Sequence, residues 1–109
     1  MNYNVIATPR FKRDIKKLAK KYPSLKNEYA TLINDLEKNP QQGISLGNNC
    51  FKIRISIASK GKGKSGGARV ITHIVINDGI VFLLTMYDKA DRENITDKEL
   101  DELLDQLSE

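Results

Sequence analysis

The chain's capacity for chemistry is concentrated in its middle. Lys52 and Arg54 alternate with apolar residues, and Ser59 to Arg69 reads SKGKGKSGGAR, with Lys60, Lys62, Lys64 and Arg69 spaced among small residues. Cations beside a backbone of little bulk suit a nucleic-acid phosphate, because charge pairs with the anion while glycine lets the main chain approach. A Lys/Gly loop alone is equally a solvated turn. Its neighbourhood gives it weight: no acidic residue occurs between Glu37 and Asp78, so Lys38, Lys52, Arg54 and the loop cations have no acid nearby in sequence. Such a block favours an anionic partner. Arg69 presents a planar fork that can grip two phosphate oxygens, and Arg54 with Lys52 can flank it from a neighbouring strand. Its plainer reading is a solvated arginine at a strand start.

Other chemistries fit less well. Cys50 is the only cysteine and His73 the only histidine, which excludes an internal disulfide and the usual structural zinc sets. ASKGKGKS, from Ala58 to Ser65, resembles a relaxed phosphate loop, but Gly66, Gly67 and a β-branched run follow where a helix is needed. His73 is the natural acid–base candidate by its ordinary pKa, and counting by twos from Arg69 puts it on the same strand face. Packing is its alternative role.

The elements that must carry these residues are legible in the periodicity. Tyr3 to Thr8 makes a short outer strand, and Thr8-Pro9 an N-cap and first helical residue. Phe11, Ile15, Leu18 and Ala19 then recur at helical spacing, opposite a basic face of Arg10, Lys12, Arg13, Lys16, Lys17 and Lys20. A turn over Tyr22 to Ser24 leads to a second helix carrying Leu25, Tyr29, Leu32, Ile33 and Leu36, which stops before Asn39 and Pro40. The two helices are expected to form an antiparallel hairpin. Gln41 to Asn49 reads as a loop.

Phe51, Ile53, Ile55 and Ile57 mark a half-buried strand with Lys52 and Arg54 on its open face. Arg69 to Ile76 and Ile80 to Tyr87, joined by Asn77-Asp78-Gly79, complete an antiparallel meander. Thr96 and Glu99 have capping-box spacing, and Leu100, Leu103, Leu104 and Leu107 form a seam that is either core or a partner-binding face.

The length of 109 residues suits one domain spanning 1–109, and 39% hydrophobic with 29% charged residues is the balance of a globular protein. No apolar run approaches the roughly 18 residues of a membrane span and no apolar signal core opens the chain, so a cytoplasmic location is expected. Residues 1–26 carry eight Lys or Arg against one acid, Asp14, whereas residues 88–109 carry nine acids against three bases. That asymmetry suggests a polyanion partner and a tail that keeps off it or shields the basic surface.

The run FKIRISIASKGKGKSGGARVI, followed by FLLTMYDKAD and an ITDKEL helix start, resembles the RelE/HigB superfamily of bacterial toxins, especially its HigB-like branch, over residues 50–107. Residues 1–49 agree in their strand and two-helix pattern. The resemblance implies an α+β fold in which two N-terminal helices pack on a small twisted, mainly antiparallel sheet, with a C-terminal helix. It also implies the toxin of a type II toxin–antitoxin system, held inactive by a cognate antitoxin. Such toxins cut messenger RNA on the ribosome without metal or other cofactor, by attack of the RNA 2′-hydroxyl on the adjacent phosphate.

Tyr87 and Lys89 match the family's YxK element, which brings both towards the site. Two departures stand out. Thr72 and His73 occupy positions where relatives often carry tyrosines. Asp91 fits an acidic position, while Ala90 and Arg92 do not supply the extended basic pattern of the RelE branch.

That chemistry needs an aligned hydroxyl, stabilised phosphate charge and two proton movements. Arg69, Arg54 and Lys52 are the candidates for charge; Tyr87, Lys89 and His73 are those for protons or base stacking; Lys60, Lys62 and Lys64 are expected RNA or ribosome contacts. A catalytically silent RNA- or ribosome-binding module, or a protein-interaction domain docking through the leucine seam, accounts for the same composition.

Overall fold

The computed structural model describes residues 2–61 and 66–108; Lys62 and Lys64 of the basic run lie outside the described residues. The elements run β1 (Asn4–Ala7), α1 (Pro9–Lys21), α2 (Leu25–Lys38), β2 (Ile44–Gly47), β3 (Cys50–Ile55), β4 (Ala68–Val75), β5 (Ile80–Asp88) and α3 (Asp97–Asp105). The strands form one sheet in the order β1-β5-β4-β3-β2, antiparallel except for the β1–β5 pair. This is the expected α+β architecture, with one strand more than the sequence suggested.

That strand is β2, which falls in the stretch read as a loop. It is four residues long, and Asn48 and Asn49 carry positive φ angles of 53° and 58° between it and β3. Two left-handed residues are what a tight hairpin needs, and asparagine tolerates them better than most.

Caps fix the helices. The Thr8 hydroxyl accepts from the Phe11 amide at 3.2 Å and donates to the Leu83 carbonyl at 2.9 Å, so it both starts α1 and ties that start to β5 where β1 ends. Thr96 and Glu99 form a reciprocal capping box on α3.

The sheet is covered on both faces. Phe11 of α1 and Leu25, Leu32 and Leu36 of α2 pack over Ile53, Val70, Ile74, Val81, Leu83 and Met86. On the opposite face, Leu100 and Leu103 of α3 are buried over Cys50, Ile71 and Leu84. The leucine seam is therefore core. Lys52 does not lie on an open face either, since α3 and the connection leading to it cover that side and leave Lys52 only 7% exposed. Truncating Leu103→Ala should cost about 2–5 kcal/mol, read from urea unfolding, because it empties the contact holding α3 to the sheet.

A β-bulge decides where Tyr87 points. The β4–β5 register shifts between Ile71 and Thr72, where Leu83 and Thr85 are the successive partners and Leu84 is extra. Strict alternation from Val81 and Leu83 would aim Tyr87 at α1 and α2. With the extra residue, Met86 faces those helices and Tyr87 faces α3. Asp14 of α1 holds this irregularity, accepting from the Thr85 hydroxyl at 2.5 Å and the Met86 amide at 3.3 Å.

Candidate active site

Register brings the predicted cations together. Arg54 of β3 is the direct partner of Arg69 of β4, and Arg69 is the direct partner of Tyr87 of β5. The three form one row across three strands, on the face covered by α3. Strands are spaced about 4.8 Å apart, so the row spans about 10 Å between its outer Cα atoms. Lys52, two residues before Arg54, stands on the same face one step along β3.

The row is held by a residue the sequence reading did not single out. Glu93, on the connection between β5 and α3, accepts from Arg69 Nε at 2.7 Å and from the Arg69 terminal nitrogen at 3.4 Å. It also lies 3.7 Å from the Arg54 guanidinium. The Arg69 hydrogen bond is the main reason that the Glu93 carboxyl lies below its ordinary pKa, with the Arg69, Lys52 and Arg54 charges adding to it. Arg69 also donates to the Ala68 carbonyl and is 1% exposed. Asn94 accepts from the Lys52 ammonium at 2.8 Å, and the Tyr87 hydroxyl donates to the Glu93 carbonyl at 3.0 Å. Burial raises the Tyr87 pKa, and the Arg92 guanidinium, 4.8 Å from the ring centroid, works in the opposite direction.

Other expected residues are placed elsewhere. Lys60 is turned inward rather than offered to RNA: its ammonium is 2.6 Å from Asp88 and 3.2 Å from the Gly67 carbonyl, and its side chain is 8% exposed. The Tyr22 hydroxyl and the Ala90 amide join the Asp88 cluster at 2.6 and 2.9 Å, and the Lys21 ammonium lies 3.8 Å from its carboxylate. Burial alone would raise the Asp88 pKa, but the bonds from Lys60, Tyr22 and Ala90 outweigh it and bring the carboxyl to about 2. Lys60 thus fastens the base of the basic loop. Gly67 has to be glycine there, since a Cβ would fall inside the Ile55 carbonyl.

Lys89 lines a shallow cleft with Tyr22, Lys60, Gly66 and Ala90, apart from the arginine row. His73 does share the Arg69 face, but four residues along β4 separate them by about 13 Å. Its Nδ1 lies 3.4 Å from Cys50 Sγ. Burial pushes the Cys50 thiol up to about 11, which keeps it protonated and unreactive. Among the described residues the acid paired with the arginines of the row is Glu93, two positions after Asp91.

A cavity of about 280 Å³ lies between α1 and α3 beside the part of β5 that β1 does not reach. Asp14, Asp88, Asp91, Glu99 and Glu102 outnumber Arg10, Lys17 and Arg92 in its lining, which does not suit a phosphate. Among the described residues, no three His, Cys, Asp or Glu side chains gather in a way that could hold a metal ion, and no helix is long and apolar enough to cross a membrane.

Comparison with known proteins bears on the fold and the family. The fold matches the free-state structure of a mutant E. coli toxin RelE with a TM-score of 0.64 and 13% identity, over 97% of this chain and 98% of that one. It matches the intact E. coli RelBE toxin–antitoxin complex with a TM-score of 0.59 and 15% identity, over 79% and 95% of the two chains. For the RelBE2 toxin–antitoxin complex of Mycobacterium tuberculosis the values are 0.54 and 20%, over 81% and 99%. At these identities the likeness speaks to the fold. The sequence profile described as the RelE toxin of the RelE/RelB toxin–antitoxin system matches residues 10–108, nearly the whole chain, and the protein therefore belongs to the RelE toxin family.

Proposed function

We propose that this protein is the toxin of a type II toxin–antitoxin pair and acts as a ribosome-dependent messenger-RNA endonuclease, with a cognate antitoxin as its protein partner. The observation that carries the reading is the row Arg54–Arg69–Tyr87, flanked by Lys52, on one sheet face of a RelE-family fold. RNA brings its own nucleophile, since each 2′-hydroxyl sits beside its phosphorus. As that oxygen attacks, negative charge grows on the non-bridging oxygens, and two guanidiniums facing each other across β3 and β4 can meet it with paired hydrogen bonds. Lys52 adds a third charge. As the P–O2′ bond forms and the P–O5′ bond breaks, the 2′-hydroxyl proton passes to water and Tyr87 donates a proton to the departing 5′-oxygen; burial, which raises its pKa, keeps the phenol protonated at neutral pH, as a donor requires.

Lys62 and Lys64 are the loop contacts to the RNA or ribosome in this account. Lys60 is their anchor, and His73 and Lys89 take no part in the chemical step. The antitoxin pairing rests on the family and on the complexes in which related folds occur.

Primer extension on a defined message during cell-free translation tests the proposal. New 5′ ends at in-frame codons are expected, and none on naked RNA. A second reading, a ribosome-bound inhibitor that does not cut, is favoured by the burial of Arg69 beneath Glu93; stalled translation with uncut message would establish it instead.

A further inference from the structure

The candidate site is filled by the chain's own carboxylate. Arg54 and Arg69 are directly opposed, and like charges so placed repel. Glu93 relieves that repulsion, touching Arg69 through both carboxylate oxygens and lying 3.7 Å from Arg54. Asn94 takes the Lys52 ammonium, and the Glu93 carbonyl takes the Tyr87 hydroxyl. Two consecutive residues of the connection between β5 and α3 therefore engage all four side chains assigned to the phosphate.

A carboxylate meets a guanidinium fork with two oxygens, as a phosphodiester does with its two non-bridging oxygens. Arg69 is 1% exposed with the Glu93 carboxylate across its Nε and a terminal nitrogen, so a phosphate that takes those donors must displace Glu93. Glu93 is 33% exposed and belongs to neither flanking element, so it can turn out to water.

We propose that Glu93 is a built-in stand-in for the scissile phosphate, and that an RNA phosphodiester binds by displacing Glu93 and Asn94 from Arg69, Arg54 and Lys52. This rests on the function proposed above and adds a competitor to it. Because Arg69 holds the Glu93 carboxyl below its usual range, the competitor stays charged at every pH at which a cell works. The apparent affinity for RNA is then the intrinsic affinity reduced by the fraction of molecules in which Glu93 has left. Displacement of Asn94 would also free the Lys52 ammonium, whereas the Tyr87 hydroxyl, held by the Glu93 main-chain carbonyl, is released only when the backbone of the connection moves with the side chain.

The test is fluorescence anisotropy with a labelled single-stranded oligodeoxynucleotide, which offers phosphodiesters but no 2′-hydroxyl to react. Glu93→Gln keeps the size and acceptor oxygen but removes the charge. It is expected to bind roughly 10-fold tighter than wild type, with a log–log salt slope steeper by about 0.7, the value for one further phosphate neutralised on a single strand. Adding Arg69→Ala to Glu93→Gln should erase the gain. Glu93→Asp, which keeps the charge but shortens its reach, should give a smaller gain and serves if the Gln variant does not fold.

Equal or weaker binding by both Glu93 variants overturns the proposal, and so does a gain that persists without Arg69. Loss of message cleavage in Glu93→Gln at unchanged affinity also overturns it, making Glu93 a proton acceptor. The two proposals fail separately: wild-type cutting with no affinity gain sinks the stand-in alone, whereas an Arg69-dependent gain in a protein that never cuts sinks the nuclease alone.

Discussion

Arg69→Ala should reduce message cleavage about 10³-fold in cell-free translation while leaving a folded protein. Removing one preorganised donor from a site of developing charge costs about 10²–10³ in rate, and Arg69 supplies two donor directions at the centre of the row. The fold should survive because the carboxylate left behind, that of Glu93, is a third exposed and can turn to water. Arg69→Lys should recover only part of the loss, since an ammonium keeps the charge but not the planar fork. Parallel melting curves separate the outcomes. Cleavage within a few-fold of wild type in a folded Arg69→Ala protein would remove this residue from the mechanism.

Asp88→Ala should produce the largest stability loss, about 3–5 kcal/mol by chemical denaturation. That is the range for breaking a buried ion pair by removing one partner. Asp88 is almost fully buried and holds Lys60, Tyr22 and the Ala90 amide at 2.6 to 2.9 Å. Its loss strands the Lys60 ammonium in a place 8% exposed. Because Lys60 also holds the Gly67 carbonyl, the base of the basic loop should loosen too, and cleavage should fall with stability.

The same carboxylate predicts a pH dependence. Its folded pKa of about 2 lies below its ordinary 3.8. Its contribution, on the order of 2 kcal/mol, is fully present above about pH 4 and is lost as the pH falls through 2. Asp88→Asn should flatten this acid limb of the stability curve. An unchanged limb in that variant would show that other groups govern acid unfolding.

What was legible in the sequence was local. Thr8-Pro9 and the Thr96/Glu99 spacing mark helix starts because capping is a matter of a few adjacent residues. Lys52, Arg54 and Arg69 share a face because alternation in β3 and β4 is regular, and the paired register does the rest. The short β2 escaped notice because Ile44 to Gly47 is brief and bounded by breakers; the Asn48-Asn49 pair was the available signal.

The long-range features were not legible. Glu93 is 24 residues from Arg69, in a stretch that is neither helix nor strand, and no periodicity aims a side chain from there. Lys60 reads as one loop cation among several until folding brings Asp88 beside it. The position of Tyr87 depends on one extra residue in β5, pinned by Asp14, the lone acid of a basic N-terminal region. A period-2 count carried across the bulge aims the tyrosine at the wrong face.

If opposed arginines on β3 and β4 assist the RNA's own 2′-hydroxyl in cutting its neighbouring phosphate, cleavage must depend on that hydroxyl. The most direct test is to map a cleavage position with wild-type protein on translating ribosomes, then repeat with a message carrying a single 2′-deoxynucleotide on the 5′ side of that bond. This cut should disappear while cuts at other codons remain. Undiminished cleavage at the deoxy position would contradict it, because the nucleophile would then come from elsewhere.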